Sequence, residues 1–373
     1  MRVIVLGGAG DMGRRAVEEL AREAAVDALG VGDLDEAAAR AVAQALASPK
    51  VTPIRVDARE RAGLVRALEP WDVVASAVGP FYEFETRCAA AAIEARRPYV
   101  SICDDFDAAQ DVLLLDGRAR ARGVTVLSGL GWTPGVTNVL ARKGAASLDR
   151  VEEIRVAWAS SAADSQGRAV VLHTLHIFSG LVPSFEDGRP VKVAAGSGRE
   201  RVRFPEPVGE VDVFHVGHPE PVTLPLSFPD VQRVTLKGGL AEALLSNLAI
   251  GLGRLGLTST PRRRALLRRA IEPALPLLGR VGRPGSPCSA ARVDVLGTKD
   301  GRPERLCYGA AAHMPVLTGV PLALGALMLG RGEIARPGVV APESCIDPDP
   351  FLAELARRGI ALFEGELLDK PLA

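Results

Sequence analysis

The chain has 373 residues, in which 45 basic side chains balance 45 acidic ones. This length predicts two domains, and an apolar fraction of 47% is enough to form full hydrophobic cores. The neutral balance offers no basic surface for nucleic acid. The longest nearly apolar stretch, 320–330, is about half of the roughly 20 residues that a membrane helix needs. We therefore expect a soluble, cytoplasmic protein without a transmembrane segment.

The first third of the chain alternates short runs of Val, Ile and Leu with amphipathic segments of helical period. The predicted strands are 2–6, 28–32, 51–56, 72–77, 99–102 and 124–127. The predicted helices are 13–23, 35–46, 59–68, 82–95 and 106–122. Apolar strands that alternate with helices indicate a doubly wound parallel sheet. The sequence therefore predicts an α/β Rossmann domain over 1–130.

The pattern changes after residue 130, where strands are separated by loops rich in Gly and Pro. These strands are predicted at 151–157, 191–193, 201–204, 211–216, 231–236 and 291–296, with helices at 240–257 and 261–278. The mixture predicts an α+β domain over 131–315 with a mixed or antiparallel sheet. A C-terminal segment, 316–373, contains a further helix and a last one at 350–358.

A glycine pattern typical of dinucleotide binding follows the first strand. Gly8, Gly10 and Gly13 match G-x-G-x-x-G, in which the first glycine permits a tight turn and the second a close approach to pyrophosphate. The third glycine allows the helix to pack closely on the strand, and the helix N-terminus faces the phosphates. Asp33 ends the second strand 20 residues later, where a carboxylate binds ribose hydroxyls. This carboxylate favours NAD, with NADP still possible because two arginines follow Gly13.

Two further segments at the carboxyl ends of predicted strands belong to the same cofactor site. Asp57 follows the third strand, where it either caps the adenine edge or belongs to a surface turn. Residues 77–79 lie at the carboxyl end of the fourth strand, beside the nicotinamide half of the site. The predicted cofactor-binding residues are Gly8, Gly10, Asp11, Met12, Gly13, Asp33, Asp57, Ala77, Val78 and Gly79.

The sequence excludes two classes of nicotinamide-dependent enzyme. Short-chain dehydrogenases need a lysine four residues after a tyrosine, and none of the three tyrosines has one. Zinc alcohol dehydrogenases need clusters of Cys and His, and the five cysteines include no C-x-x-C pair. His173 and His176 lie three apart, but without a third ligand they do not predict a metal site. What remains is hydride transfer assisted by isolated acid and base side chains.

Four segments resemble the saccharopine dehydrogenase-like family, and within it the L-lysine 6-dehydrogenases. They are the glycine turn, 129–138 (G-L-G-W-T-P-G-V-T-N), 215–221 (H-V-G-H-P-E-P) and 330–339. The resemblance implies an inserted domain with the substrate site and the contacts of a homodimer, and a C-terminal segment that packs back on the Rossmann domain. It also implies NAD(P)-linked chemistry at a C–N bond of an amino acid.

The resemblance and the residue chemistry together nominate the catalytic groups. His176 and His215 match family positions, and an imidazole can accept the proton that an amine releases; each is also interpretable as a structural residue. Tyr82 and Asp104 are the candidates on the Rossmann side. The chain departs from the family at Ser101, where many members have Asp, and in the sequence 218–220 (H-P-E) after the central histidine.

Three functions are compatible with this sequence. The first is an NAD-dependent amino-acid dehydrogenase of the lysine 6-dehydrogenase type, which forms an imine that water opens. The second is a saccharopine- or carboxynorspermidine-type reductase that forms a secondary amine. The third is a catalytically inactive NAD-binding sensor or subunit.

Overall fold

A computed structural model describes residues 1–164, 167–271 and 288–372. The chain forms two compact units. The cofactor unit contains Met1–Gly135 and Pro315–Ile346, and the second unit contains Val136–Met314 and Asp347–Ala373. Among the described residues, no helix combines the length and the apolar character that a membrane span requires.

The cofactor unit contains a seven-stranded parallel sheet in the order β15-β6-β5-β4-β1-β2-β3. Its strands are β1 (Arg2–Leu6), β2 (Ala28–Asp33), β3 (Val51–Arg55), β4 (Val73–Ser76), β5 (Tyr99–Ser101), β6 (Thr125–Leu127) and β15 (Gly338–Val340). Six of them follow the order of a dinucleotide-binding fold, and β15 extends the sheet beside β6. The predicted Rossmann domain is confirmed.

Burial on both faces explains why these strands are continuous apolar runs. Val3, Ile4 and Val5 are all completely buried, although neighbouring side chains of a strand point to opposite faces. Helices cover the sheet, as a parallel sheet requires. They are α1 (Asp11–Arg22), α2 (Glu36–Leu46), α3 (Arg61–Leu68), α4 (Phe81–Glu94), α5 (Phe106–Leu113) and α6 (Asp116–Arg122).

The predicted helix 106–122 is two helices, α5 and α6, because the chain turns at Leu114 and Leu115. Because α6 begins at Asp116, this side chain lies at the first turn of a helix. The Asp116 carboxylate accepts hydrogen bonds from the Val339 amide of β15 at 2.9 Å and from Arg120 at 2.7 Å. The bond from Val339 ties the added edge strand to α6.

The C-terminal segment divides between the two units, whereas the sequence placed all of 316–373 with the Rossmann domain. In the cofactor unit, the helix Met314–Gly330 passes so close to α1 that a Cβ at Gly319 would lie 2.7 Å from the Met12 carbonyl oxygen. Residues after Ile346 belong to the second unit instead, because β16 (Ala361–Glu364) pairs with a strand of its sheet.

The second unit is built on a mixed sheet whose main path is β10-β11-β12-β7-β13-β14-β16-β17. Its remaining strands, β8 and β9, pair with each other, and β8 also pairs with β12. The bounds are β7 (Arg150–Ser160), β8 (Leu181–Glu186), β9 (Arg189–Ala194), β10 (Glu200–Arg203), β11 (Glu210–His215), β12 (Arg233–Leu240), β13 (Ser289–Lys299), β14 (Arg302–Ala312) and β17 (Lys370–Pro371). The predicted α+β class is confirmed.

The helices of this unit are α7 (Val136–Ala145), α8 (Arg168–Ile177), α9 (Glu220–Ser227), α10 (Ala243–Arg254), α11 (Pro261–Ile271) and the helix Pro348–Arg357. The cofactor unit also has a short helix at Pro342–Cys345. The helix predicted over 261–278 is described as far as Ile271, and its last residues lie outside the described part of the chain. α7 packs on the face of the sheet formed by β13 and β14.

Candidate active site

The turn from β1 into α1 forms a backbone cradle at the carboxyl edge of the first sheet. The Gly10 amide donates to the Gly7 carbonyl at 3.1 Å, and α1 begins at Asp11 without a side-chain cap. A Cβ at Gly13 would lie 2.1 Å from the Gly7 carbonyl oxygen, so only glycine fits there. The first turn of α1, which includes Asp11 and Met12, therefore lies directly on the loop, and the N-terminal end of a helix attracts phosphate oxygens.

Asp33 lies at the end of β2 beside this cradle. Its Oδ2 accepts a hydrogen bond from the Ala9 amide at 3.1 Å, and its Oδ1 accepts one from the Asp35 amide at 3.1 Å. The backbone thus fixes a carboxylate next to the glycine turn, where the sequence placed the ribose contact. Such a charge repels a 2′-phosphate and attracts hydroxyl donors.

The other predicted cofactor residues lie at the ends of neighbouring strands. The Ala77 amide continues the sheet by donating to the Leu6 carbonyl at 2.8 Å, and Val78 and Gly79 follow it toward α4. Asp57 follows β3 and accepts a hydrogen bond from the Arg59 amide at 2.9 Å. That bond is what a turn residue makes, so the alternatives for Asp57 stay open.

A buried carboxylate that the sequence analysis missed lies behind this edge. Glu85 of α4 is 1% exposed, and its oxygens accept hydrogen bonds from Tyr99 at 2.9 Å, Ser101 at 2.5 Å and Ser128 at 3.3 Å. Burial is the main cause that raises the pKa of Glu85 from 4.5 to about 7, and the charge of Asp105 adds to it. Glu85 thus supplies a carboxylate beside Ser101, where many family members carry Asp.

The two catalytic candidates of the cofactor unit lie near this group. Tyr82 is in the first turn of α4, and its amide donates to the Asp105 carboxylate at 2.9 Å. Asp104 precedes Asp105 in the loop between β5 and α5. Both candidates therefore lie at the carboxyl edge of β4 and β5, the edge at which a Rossmann sheet binds its ligand.

The second unit contains a cluster of acid, imidazole and indole groups, which we call the Trp158 cluster: Thr137, Trp158, His173, His218 and Glu220. The His218 ring lies 5.7 Å from the Trp158 ring and 5.2 Å from the His173 ring. The Glu220 carboxylate is 3.8 Å from His218 Nδ1 and 3.4 Å from Thr137 Oγ1. His218 is 2% exposed and Glu220 is completely buried.

His215 lies on the other face of this sheet. In the register, Phe214, Gly238 and Trp158 are partners on one face, whereas His215 and Lys237 are partners on the opposite one. Burial first, and then the charge of Lys237, lower the pKa of His215, so its imidazole is neutral near pH 7. The structure therefore does not bring His215 into the Trp158 cluster.

Three further polar residues of the second unit have these positions in the structure. Lys237 lies on β12, between β11 and β7, and forms an ion pair with Glu200 at 2.6 Å. His176 is in the last turn of α8, one turn after His173 of the Trp158 cluster. Asn138, on α7, is completely buried.

The fold and the cradle define a class of protein, the NAD(P)-dependent oxidoreductases with a Rossmann domain. The family model of the saccharopine dehydrogenase NADP binding domain matches residues 3–127, and that of the saccharopine dehydrogenase C-terminal domain matches residues 289–360. Together they cover just over half of the chain, which belongs to the saccharopine dehydrogenase family.

Individual proteins agree with this assignment. A carboxyaminopropylagmatine dehydrogenase from Synechocystis is 23% identical over an alignment that covers 65% of either chain. The apo saccharopine dehydrogenase (L-Glu forming) from Saccharomyces cerevisiae matches over 100% of both chains with a TM-score of 0.69 and 16% identity. An amine dehydrogenase from Mycobacterium smegmatis matches 93% of this chain and 96% of its own, with a TM-score of 0.50 and 13% identity. The structural matches establish the fold.

The cradle leads to a first prediction. Gly13→Ala forces the loop and α1 apart, and we expect NADH affinity to fall roughly tenfold or more. Gly117→Ala is the matched control, since a Cβ at Gly117 of α6 meets no atom within 4 Å. Fluorescence titration with NADH measures both variants. Equal affinity of Gly13→Ala and wild type would contradict the proposed cradle.

Glu85 leads to a second prediction, about stability. Because its pKa is raised on folding, its stabilising contribution is complete below pH 4.5 and is lost as pH rises through about 7. Relative to Glu85→Gln, the wild-type free energy of unfolding should fall by about 3 kcal/mol over that interval. Denaturant unfolding across this pH range measures it, with the exposed Glu36→Gln as control. Parallel pH curves for wild type and Glu85→Gln would refute the assignment.

Proposed function

We propose that this protein is an NAD-linked amino-acid or amine dehydrogenase, which oxidises the carbon that carries an amine nitrogen in the manner of a lysine 6-dehydrogenase. The observation that carries the proposal is the glycine cradle with Asp33 fixed beside it. Membership of the saccharopine dehydrogenase family supports a C–N bond as the reacting bond. The names of the relatives support the amine class.

The residues of the cradle fit a dinucleotide. The amides at the start of α1 would hold the pyrophosphate, and Asp33 would accept hydrogen bonds from the adenosine ribose. The glycines between Gly7 and Gly13 have no side chains, so phosphate groups can approach the loop backbone closely. When bound, NAD supplies the acceptor for a hydride from the substrate carbon.

The protein's own groups bind and deprotonate the substrate in this proposal. An amine substrate arrives as an ammonium ion, so its nitrogen must lose a proton before a C=N bond can form. Tyr82 and Asp104 are candidates for this exchange in the cofactor unit, and His176 and His215 in the second unit. Glu220 and His218 lie close together in the Trp158 cluster, where a buried carboxylate beside an imidazole keeps both side chains in place.

The alternative is reductive formation of a secondary amine, as in the saccharopine or carboxynorspermidine type. The observation that favours it is the similarity to a carboxyaminopropylagmatine dehydrogenase and to saccharopine dehydrogenase. The chemistry at carbon is the same hydride transfer in the opposite direction. Preference for NADPH, with no oxidation of primary amines, would favour this alternative. A protein that binds cofactor but acts on neither class would be the inactive sensor or subunit.

Cofactor choice provides the third prediction. Asp33→Ala removes a charged acceptor, and we expect NADH affinity to fall roughly 10- to 100-fold while NADPH affinity falls less. Asp35→Ala is the matched control, because Asp35 caps α2 through the Ala38 amide and has no place in the proposed contact. Titration with both reduced cofactors measures the effect. An unchanged NADH affinity would remove Asp33 from the site.

The activity itself is tested with a panel of amino acids and diamines, using NAD and NADP as oxidants and absorbance of the reduced cofactor as readout. We expect turnover with at least one primary amine and a preference for NAD. Tight cofactor binding without turnover of any amine or of any oxo acid–amine mixture would overturn the enzymatic proposal.

A further inference from the structure

A cavity lined by charged side chains opens on the second unit's sheet, and all of its lining belongs to that unit. Its volume is about 270 Å³, far more than the roughly 10–15 Å³ that a single water needs. We call it the arginine cavity after its basic side chains, which are Arg155, Arg201, Arg203, Lys237, Arg292 and Arg305. The cavity has room for a small molecule, and its lining is rich in hydrogen-bond donors.

The arginine cavity lies on the face of the sheet that α7 does not cover. Arg155 of β7 and Asp294 of β13 are partners in the register, so both point to this face. Val295, the next residue of β13, points to the other face, where a Cβ at Gly144 of α7 would lie 2.8 Å from its side chain. Trp158, three residues after Arg155, also points to the α7 face. The arginine cavity is therefore separated from the Trp158 cluster by the sheet itself.

The sheet curves, so that strands which are not neighbours form the walls of the cavity. Nη1 of Arg292 on β13 donates to the carbonyl of Arg203 on β10 at 3.3 Å and to the carbonyl of Glu366 at 3.0 Å. Lys237 of β12 reaches Glu200 of β10 at 2.6 Å, although β11 lies between these two strands. The end of β10 and the turn between β16 and β17 are thus held around Arg292.

Most of the basic side chains of the cavity are neutralised by carboxylates. Arg292 donates from Nε and Nη2 to the two oxygens of Asp294 at 2.9 and 3.0 Å, and both residues are at most 6% exposed. Such a bidentate pair is close to neutral as a unit. Arg155 is bound in the same way by Glu153, at 2.9 Å through both nitrogens. Two further pairs are Lys237 with Glu200 and Arg201 with Glu210.

Two guanidinium groups of the lining have no carboxylate of their own. Arg305 reaches Asp294 at 3.1 Å, but Arg292 already neutralises that carboxylate. Glu366 lies 3.9 Å from Arg305, and its side chain is 79% exposed, so this ion pair is weak. Arg203 forms no ion pair with any residue that the structure describes. The arginine cavity therefore has an excess of positive charge, located at Arg203 and Arg305.

This pattern of charge suits an anion that carries two negative charges. Guanidinium groups bind carboxylates and phosphates through paired N–H donors, and two uncompensated guanidinium groups match two negative charges. A partly enclosed cavity also screens charges less than an open surface does. Support of the curved sheet explains the bonds of Arg292, but it does not explain Arg203 and Arg305, whose charges neutralise nothing of their own.

We propose that the arginine cavity is a binding site for a small dianion, either a phosphate group or a dicarboxylate, which Arg203 and Arg305 hold from two walls. The ligand is bound without any change of its covalent bonds. The site lies within the second unit and requires neither the cofactor nor an amine, so the inference does not depend on the proposed function. A bound dianion connects β10 with β14, and it should therefore stabilise the folded protein.

Calorimetric titration of the protein without cofactor tests the site, at low ionic strength in mildly alkaline buffer. The probes are inorganic phosphate, succinate and acetate. We expect phosphate or succinate to bind with a Kd below roughly 1 mM, and acetate to bind roughly tenfold more weakly because it carries a single charge. Tighter binding of phosphate would assign the site to a phosphoryl group, and tighter binding of succinate would assign it to a dicarboxylate.

Two variants locate the bound anion. Arg203→Gln and Arg305→Gln each remove one of the two charges, and each should weaken binding of the preferred dianion roughly tenfold or more. Both side chains are largely exposed, so neither change threatens the fold. Arg357→Gln is the matched control, because Arg357 is an exposed arginine of the same unit that pairs with Glu354 and does not line the cavity. It should leave the affinity within about twofold of wild type.

Three results would overturn the inference. The first is no saturable binding of phosphate or succinate up to roughly 10 mM. The second is binding that neither Arg203→Gln nor Arg305→Gln weakens, since the anion would then be bound elsewhere, for example at the glycine turn. The third is acetate binding as tightly as the dianions, which would show that two negative charges are not recognised. None of these results bears on the oxidation of amines, so the proposed function stands or fails separately.

Discussion

The distance between Gly13 and Gly7 is the constraint on which the cofactor unit depends. A Cβ at position 13 would lie 2.1 Å from the Gly7 carbonyl oxygen, so α1 can lie directly on the loop only because no side chain is there. This close approach places the first turn of α1 at the edge of the sheet. Asp33, which accepts a hydrogen bond from Ala9 in the same loop, takes its position from that turn. The predicted pyrophosphate and ribose contacts therefore both depend on the absence of a side chain at Gly13.

Both units contain buried carboxylates. Glu85, Asp164 and Glu220 each have a carboxylate removed from solvent. Glu85 lies on α4 and contacts Ser101 and Ser128 at the ends of β5 and β6, whereas Glu220 begins α9. Asp164 follows β7, and its Oδ1 lies 2.9 Å from His313 Nδ1. Burying such groups costs free energy unless donors compensate, so a fold retains them where they serve a purpose. Hydroxyl groups of Ser101, Ser128 and Ser289 provide part of that compensation.

The cofactor unit was largely predictable from sequence, because its signals are local. Continuous apolar strands, the glycine turn and an acid 20 residues later all lie within short segments, and the structure reproduces every predicted strand of 1–130 to within one residue at each end. Glu85 was missed, although the helical period of α4 places it on the same face as Phe81 and Cys88. A charged residue on the apolar face of this helix was the sequence signal that could have indicated a buried carboxylate.

The second unit was less predictable, because its geometry depends on pairing between distant strands. His215 and His218 are three residues apart in sequence, and only the register of β11 with β12 reveals that His215 faces away from the Trp158 cluster. β14 begins with charged residues and ends in alanines, so its pairing with β13 and β16 has no local signal. For the same reason, nothing in the sequence connects Asp164 with His313.

The central claim, hydride transfer from an amine-bearing carbon, is tested most directly by isotope transfer. The protein is incubated with NAD and an amine substrate that carries deuterium at every amine-bearing carbon, and the reduced cofactor is analysed by mass spectrometry and NMR. Our account predicts NADH with one deuterium at C4 of the nicotinamide ring. Reduced cofactor without deuterium would show that the hydride comes from another carbon, and would contradict the account.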